Sequence, residues 1–243
     1  MIMTLETPAT INVPEVSAQE VTAAVDEMNT KGYACLLNYV QPDDLDRMQS
    51  FVSSPIRDAG NEYVHFNGPD AVTGSGLEEL SRSARFKKLI YDVHLQGTGR
   101  RMASDECYQV LRCLTGNSGQ KHAFMFHYDS YIVTALVPIQ IPAQGQAGDL
   151  LMYPNTRNIR SKYLFNAMDK VLLDNPITQK VLRSFVNGKS FAPERVALVP
   201  GNLYLFWGYR TIHTNEPCDP DKVRATALFH YSNPHKHAPV QMS

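Results

Sequence analysis

The stretch that decides the fold is 126-FHYDSYIV-133, where apolar residues typical of a buried strand surround two polar side chains, His127 and Asp129. In a strand, side chains two residues apart point to the same face, so the imidazole and the carboxylate would share one space. A carboxylate inside a core needs a compensating partner, because burial of an unpaired charge is costly. The stretch therefore predicts a functional site on one face of a strand.

Composition sets limits on the kind of protein. The chain has 243 residues, 43% hydrophobic and 19% charged, so it can bury a substantial core. The formal net charge of −1 gives no electrostatic footprint for nucleic acid or an anionic membrane. No apolar run reaches about 18 residues, so no transmembrane helix is expected.

The cysteines and the N-terminus indicate a compartment. Four cysteines are present, none in a CxxC pair, and the start "MIMTLETPAT" lacks the pattern of a signal peptide. Disulfides remain possible, but reduced thiols in a cytoplasmic protein are the simpler expectation.

The N-terminal half is predicted to be mainly helical. Residues 1–15 read as a loose arm, and a capping box at Ser17 and Glu20 begins a helix that Gly32 can end. A strand at 33–40 and a helix beginning near Pro42 follow. Residues 54–76 read as loop, and 76–96 read as helix.

From residue 107 the pattern changes to strands. Besides 126–133, several segments are rich in β-branched and aromatic residues and lie between turn-forming residues, which predicts strands. These segments are 107–114, 131–139, 148–153, 196–199, 202–207 and 223–231. A helical insertion, 155–192, is expected to break at Pro176, and 232–243 reads as a tail. No composition break divides 1–243 into separate domains.

A distal histidine and an arginine complete the constellation. His213 follows an apolar strand in "GNLYLFWGYRTIH", and Arg224 lies eleven residues later in "KVRATALFHY". Two histidines and one carboxylate on one side of a metal are the facial triad of non-haem Fe(II) oxygenases, which leaves other coordination positions open. The sequence therefore predicts that His127, Asp129 and His213 are metal ligands.

Arg224 begins an apolar strand, where its guanidinium would need an anion. Thr226 shares its face, and the two together could hold a carboxylate. The alternative is a structural ion pair of Arg224 with Asp149 or Glu194.

These positions resemble the Fe(II)/2-oxoglutarate-dependent dioxygenases, whose signature is H-x-D, a distal histidine and a basic residue shortly after it. The segments "GYACLLNYVQPDDLDRM", "YQVLRCLTG" and "PGNLYLFWGYRTIH" are similar to the phytanoyl-CoA dioxygenase-like branch. The resemblance covers most of residues 30–231 at low identity.

The resemblance implies a mostly β fold with helices: a double-stranded β-helix, or jelly-roll, core flanked by N-terminal helices and a helical insertion. It implies Fe(II) held by His127, Asp129 and His213, with Arg224 and Thr226 binding the distal carboxylate of 2-oxoglutarate. O2 would be the other cosubstrate, and a C–H bond of a small organic molecule would be hydroxylated.

Other residues near the motif have two interpretations each. Tyr108, Gln109 and Arg112 precede the site on a strand, and one of them could reach the cosubstrate. Tyr131 and Thr134 could do the same, although packing is an equal possibility for all five. Trp207 and Tyr209 could wall a substrate pocket or belong to the core. The basic residues Arg157, Arg160 and Lys162 could meet an anionic substrate or form a solvated loop.

Two rival functions keep the same fold. One is a hydroxylase acting on a protein, which a long open groove would favour. The other is a metal-binding jelly-roll without oxidase activity, such as an isomerase-like cupin or an inactive binding module. Metal ligands alone do not separate these functions, because Zn(II), Ni(II) or Co(II) would also bind such a set.

Overall fold

The structure is a computed structural model that describes residues 11–159, 163–188 and 191–235. Its centre consists of two antiparallel sheets: a six-stranded sheet in the order β1-β7-β4-β9-β3-β2 and a three-stranded sheet in the order β6-β5-β8. In the described residues the strands are, in chain order, β1 (Tyr33–Leu36), β2 (Val64–Asn67), β3 (Tyr108–Leu114), β4 (Val133–Gln140), β5 (Leu150–Tyr153), β6 (Glu194–Val196), β7 (Leu203–Phe206), β8 (Ile212–Asn215) and β9 (Arg224–Tyr231). The predicted jelly-roll core is thereby confirmed.

Helices surround this core on the N-terminal side and in the insertion. Their bounds in the described residues are α1 (Ala18–Thr30), α2 (Pro42–Asp58), α3 (Leu77–Arg82), α4 (Ala84–Thr98), α5 (Gly116–Gln120), α6 (Tyr163–Asp174) and α7 (Pro176–Phe185). None of these described helices combines the length and the apolarity that crossing a membrane requires.

Strand β9 shows how the sheet separates packing from chemistry. Every second residue, namely Ala225, Ala227, Phe229 and Tyr231, joins the main hydrophobic core. There Phe229 meets Phe86 of α4 with ring centroids 4.9 Å apart. The intervening residues, which begin with Arg224 and Thr226, face the opposite side, toward the three-stranded sheet.

The first helix forms as predicted. Ser17 accepts a hydrogen bond from the Glu20 N–H, and the Glu20 carboxylate accepts one from the Ser17 N–H, which completes the capping box. Its buried face includes Met28 and packs on the core.

The prediction of loop over 54–76 is wrong in part. Helix α2 continues past Pro55 to Asp58, because Val52 and Ile56 extend its buried apolar stripe. Strand β2 then pairs antiparallel with β3, although its four residues are surrounded by turn-forming residues that hide it in the sequence. Residues Pro69–Val72 form a short 3-10 helix.

The single helix predicted over 76–96 is two helices. Ser83 ends α3, and its side chain accepts a hydrogen bond from Phe86 N at the start of α4. A serine that caps the second helix separates them, since its hydroxyl competes for backbone groups.

The helical insertion breaks at the predicted place, but residues 155–159 are not helical, and its first described helix begins at Tyr163. Helices α6 and α7 meet at Pro176, and the Asn175 side chain caps α7 by accepting from Ile177 N. Two members of the basic cluster, Arg160 and Lys162, lie outside the described residues.

Candidate metal and anion site

The two histidines of the motif are paired through their backbones. His127 N donates to His213 O at 3.1 Å, and His213 N donates to His127 O at 3.0 Å. This single β-bridge joins the segment before β4 to the start of β8. The prediction of a continuous strand over 126–133 is wrong, because β4 begins only at Val133. The bridge brings the two imidazoles together, with ring centroids 4.4 Å apart.

Both imidazoles are oriented by backbone carbonyls. His127 Nδ1 lies 2.8 Å from Met125 O, and His213 Nδ1 lies 3.0 Å from Thr211 O. A carbonyl can only accept, so each Nδ1 carries the proton and donates. Each Nε2 therefore keeps a lone pair, which is the tautomer that a metal-ligating histidine requires.

Asp129 completes the group. Its carboxylate lies 3.7 Å from His127 Nε2 and 3.6 Å from His213 Nε2. The three candidate ligand atoms all lie within 4.8 Å of one another. Two imidazole nitrogens and one carboxylate at this spacing fit a divalent transition-metal ion.

The electrostatics of these groups favour ligation. Burial by itself would raise the pKa of the Asp129 carboxyl, but His213, His230 and His127, with a hydrogen bond from Thr134, hold it well below its usual range. Burial and the neighbouring His213 lower the pKa of His127. A charged carboxylate beside a neutral imidazole is the protonation state that metal binding needs.

A second group of residues supports Asp129. The Thr134 hydroxyl donates to Asp129 Oδ2 and lies 3.1 Å from His230 Nδ1. His230 Nδ1 is itself 3.6 Å from that carboxylate oxygen. Thr134, which the sequence placed near the cosubstrate, thus contacts the carboxylate of a candidate ligand instead.

Gly208 makes room for this carboxylate. Its carbonyl accepts from Asp129 N at 3.0 Å. A Cβ at this position would lie 2.3 Å from both Asp129 Oδ2 and Thr134 Oγ1, a distance that real Cβ contacts do not show. A side chain at residue 208 would therefore displace the carboxylate or the hydroxyl.

Sequence reasoning missed His230 and Gly208. His230 stands opposite Thr134 in the register of β4 and β9. Its signal was the alternation along β9: the same period that links Arg224 to Thr226 continues to His230. Gly208 had no comparable signal, because the need for glycine arises from residues far away in the sequence.

Arg224 lies at the other end of the site and is 3% exposed. Its Nε donates to Gly148 O at 2.6 Å and its Nη1 to Thr226 Oγ1 at 3.3 Å. In the described part of the chain no carboxylate pairs with it, so the alternative ion pair with Asp149 or Glu194 is not formed. Burial, then the charge of Arg112, lowers the pKa of Arg224 to about 10.

A narrow cavity joins the two ends. Its wall combines the histidine pair, polar groups of β8 and apolar residues of both sheets, namely Arg112, His127, Leu136, Leu150, Phe206, His213, Thr214, Asn215, Arg224, Thr226 and Leu228. A buried guanidinium that forms no ion pair with a described residue lies at the end of this cavity, where it fits the carboxylate of a ligand.

Gln109 does not line this cavity. It pairs with Phe229 across β3 and β9, so it belongs to the face that packs against the helices. Arg112, three residues on, faces inward. The interpretation of Gln109 as a cosubstrate contact fails because strand alternation turns it away.

Tyr108 and Tyr131 lie at the mouth of the site. Their rings stack with centroids 5.8 Å apart, and Tyr131 stacks on His230 at 5.5 Å. Trp207 belongs to the core, where its ring fills the space over Gly97 and its Nε1 donates to Asn29 Oδ1 at 3.0 Å.

Arg157 ties the insertion to the site. Its guanidinium lies between the rings of Tyr128 and Tyr209, 3.8 and 4.2 Å from their centroids. It also pairs with Asp169 of α6 at 3.0 Å and donates to Asn166. Arg157 is therefore a buried structural residue, and both sequence interpretations of it, a substrate contact and a solvated loop residue, are wrong.

Two further contacts place the insertion beside the histidine segment. The Gln179 side chain of α7 accepts from Phe126 N at 3.0 Å and donates to Phe126 O at 2.8 Å. Lys170 of α6 donates to Ser130 Oγ at 2.7 Å. The insertion thus covers the outer edge of residues 126–130.

Comparison with known proteins gives a fold likeness. No protein-family model matches the sequence, and the search of curated proteins likewise gave no match. Among solved structures, the chain is similar to a prolyl hydroxylase from Trichoplax adhaerens in complex with a hypoxia inducible factor oxygen degradation domain peptide fragment. The TM-score is 0.59 at 15% identity, over 89% of this chain and 90% of that one.

Two bacterial structures give the same result. A Pseudomonas putida prolyl-4-hydroxylase has a TM-score of 0.55 at 14% identity, over 93% of this chain and 99% of that one. A 2OG-Fe(II) oxygenase family oxidoreductase from Burkholderia pseudomallei has a TM-score of 0.53 at 11% identity, over 93% and 95%. At these identities the likeness shows a shared fold.

Proposed function

We propose that this protein is an Fe(II)- and 2-oxoglutarate-dependent oxygenase that hydroxylates a C–H bond of a small organic molecule. The observation that carries the proposal is one cavity with two complementary ends. At one end, two imidazole Nε2 atoms converge with the carboxylate of Asp129. At the other end, the buried Arg224 guanidinium has no acidic partner among the described residues. The shared fold with 2OG-Fe(II) oxygenases supports this assignment.

In this proposal His127, Asp129 and His213 hold Fe(II), which, when bound, supplies the redox chemistry that couples substrate oxidation by O2 to the conversion of 2-oxoglutarate into succinate and CO2. Arg224 and Thr226 hold the distal carboxylate of 2-oxoglutarate, since a guanidinium and a hydroxyl on one strand face offer several donors to one anion.

The remaining groups fix these donors before any ligand arrives. The carbonyls of Met125 and Thr211 set the tautomers of the two histidines, and Thr134 fixes the rotation of the Asp129 carboxylate. The apolar wall, which includes Leu136 and Phe206, limits water between the two ends. Preorganised groups in a site that excludes water interact more strongly with charge than they would in solution.

The finer assignment rests on sequence. Similarity to the phytanoyl-CoA dioxygenase-like branch stays a prediction, because the solved structures named above are mainly prolyl hydroxylases. Those names make a proline-containing peptide the second candidate substrate. The insertion favours the small molecule, because it packs against both ends of residues 126–130 and we expect it to limit the room for a long peptide there.

The experiment has a binding arm and a turnover arm. Anaerobic calorimetry on the Fe(II)-loaded protein should show binding of 2-oxoglutarate. Aerobic incubation should then give succinate, with formation stimulated by the correct member of a panel of small organic acids, neutral metabolites and proline-containing peptides. Asp129→Ala serves as the inactive control. The proposal would be overturned if the iron-loaded protein neither binds 2-oxoglutarate nor forms succinate. Tight binding of Zn(II) without affinity for 2-oxoglutarate would favour a non-oxidative metal-binding protein.

A further inference from the structure

Arg112 is a second cation of the cavity. It lies opposite Thr226 in the register of β3 and β9, so its side chain leaves the sheet on the same face as that of Arg224. In the part of the chain that the structure describes, Arg112 makes no hydrogen bond and no ion pair. Its recorded contact is with the Tyr63 ring, whose centroid is 6.0 Å away. A partly buried guanidinium without an acceptor is available to an anion.

Two cavities meet at this side chain. One is the narrow cavity that ends at Arg224. The other has a volume of about 260 Å³ and is lined by Arg112, His122, Met125, His127, Thr214 and Asn215. Arg112 and the candidate ligand His127 border both cavities, whereas Arg224 borders only the first. A molecule in the wider cavity would therefore contact Arg112 and lie beside the metal site without displacing a ligand from Arg224.

The lining of the two cavities is positive. None of the described residues that line them is acidic. Two carboxylates lie beside the lining: Asp129 is next to the histidine pair, and the charge of Asp149 acts on Arg224. Neither of them forms an ion pair with Arg112 among the described residues. An anionic ligand in the wider cavity would therefore give this guanidinium a partner.

We propose that Arg112 binds a carboxylate or phosphate group of the molecule that is oxidised, and that the substrate is thus a small organic anion held in the wider cavity. This inference rests on the proposed function, because it takes the narrow cavity as the place of 2-oxoglutarate. The thioether of Met125 supplies an apolar wall for the carbon part of the substrate. The His122 ring borders the same cavity, with its centroid 4.0 Å from that of the Tyr63 ring.

The test measures binding and does not depend on turnover. The full chain, loaded with Mn(II) and 2-oxoglutarate without oxygen, is titrated calorimetrically with propanoate, benzoate and phenyl phosphate. The neutral partners are propanamide, benzamide and phenol. We expect at least one anion to bind better than its neutral partner. We expect Arg112→Gln to weaken that binding about tenfold or more, as loss of a charge-assisted hydrogen bond does. The preferred member of the set then distinguishes a carboxylate from a phosphate.

Matched variants distinguish anion binding by Arg112 from a general effect of lost charge and from an effect on 2-oxoglutarate binding. Arg101→Gln removes the same charge from an exposed position and should leave anion binding unchanged. Arg112→Lys should recover part of the affinity. The dissociation constant of 2-oxoglutarate should rise less in Arg112→Gln than in Arg224→Gln, because the Arg112 variant removes none of the hydrogen bonds that orient Arg224.

Several results would overturn the inference. These are no preference for anions over the neutral partners, unchanged anion binding in Arg112→Gln, anions that bind only when 2-oxoglutarate is left out, and a loss of 2-oxoglutarate affinity in Arg112→Gln as large as in Arg224→Gln. Failure of the proposed function looks different, since the wild-type protein would then not bind 2-oxoglutarate. The anion titration of the Mn(II) form without cosubstrate would still show whether Arg112 binds anions.

Discussion

The two ends of the cavity differ in how completely their polar groups are satisfied. At the ligand end, each imidazole donates to a carbonyl, and Asp129 accepts from Thr134. At the anion end, Arg224 has one carbonyl and one hydroxyl, and Arg112 has no described hydrogen bond. The first end is held in place by the protein alone. The second end consists of two guanidinium groups in a partly buried space, and their remaining hydrogen bonds require a ligand.

This difference separates two kinds of variant. Changes at the ligand end should affect metal binding first, and changes at the anion end should affect the organic ligand while the metal stays bound. Independent behaviour of the two ends would support separate roles, whereas parallel losses would mean that the cavity acts as one unit.

Asp129→Ala should have the largest effect. It removes a candidate ligand, so we expect Mn(II) affinity to fall by at least about 100-fold, the upper end of what loss of a supporting residue costs. Succinate formation should be abolished. Calorimetry with Mn(II) measures the first change, and circular dichroism verifies that the fold persists. Asp26→Ala, which removes an exposed carboxylate of α1, is the charge-matched control, and an equal loss of affinity there would contradict the assignment.

Arg224→Gln should weaken 2-oxoglutarate binding about 10- to 100-fold, because hydrogen bonds to a charged group contribute about 1.5–3 kcal/mol. Metal affinity should stay within about twofold of the wild-type value, since no ligand contacts Arg224. Titration of the Mn(II)-loaded variant with 2-oxoglutarate gives the affinity for the cosubstrate, and titration of the metal-free variant with Mn(II) gives the affinity for the metal. Unchanged cosubstrate binding would move the carboxylate anchor to another residue.

Gly208→Ala should lower metal affinity about tenfold, as disruption of groups that support a ligand does. The added Cβ would contact Asp129 Oδ2 and Thr134 Oγ1, and one of them must shift. Gly99→Ala is the control: its φ of +67° disfavours alanine, yet its Cβ would meet no neighbour within 4 Å. We expect that control to lower the thermal stability and to leave metal binding intact. Unchanged metal affinity in Gly208→Ala, or an equal loss in the control, would contradict a role of Gly208 in the site.

Thr134→Val should have the smallest effect, a loss of metal affinity of about two- to tenfold, which corresponds to one hydrogen bond. Valine keeps the β-branched shape but no longer donates to Asp129 or contacts His230. Thr134→Ser restores the hydroxyl and should restore affinity. If Thr134→Ser does not restore the metal affinity, this residue contributes through packing rather than through its hydrogen bond.

The sequence predicted the parts of the fold and site that local periodicity encodes. The capping box of α1, the break at Pro176 and most strands of the core follow from patterns a few residues long. Alternation also placed Arg224 and Thr226 on one face. Carried four residues further, it would have included His230, and the same rule applied to β3 would have excluded Gln109.

What the sequence did not predict depends on partners distant in the chain. Strand β8 is short and carries buried polar residues, Thr214 and Asn215, so it lacks the apolar alternation that marks a strand. The strand predicted at His127 is instead one bridge to His213, 86 residues away. Gly208 and Arg157 acquire their roles only when tertiary neighbours surround them, and periodicity contains no information about such neighbours.

The stacking of Arg157 between Tyr128 and Tyr209 has a consequence for protein engineering. Tyr128 stands between the two motif residues, and Tyr209 stands four positions before the distal histidine. A chimera that receives helices α6 and α7 from another protein of this fold would leave this cation without Asp169 and Asn166 and would disturb both segments that carry the candidate ligands. The helices should therefore be transferred together with the arginine and its two aromatic partners. A graft that exchanges only the helices should lose metal affinity before it gains a new specificity.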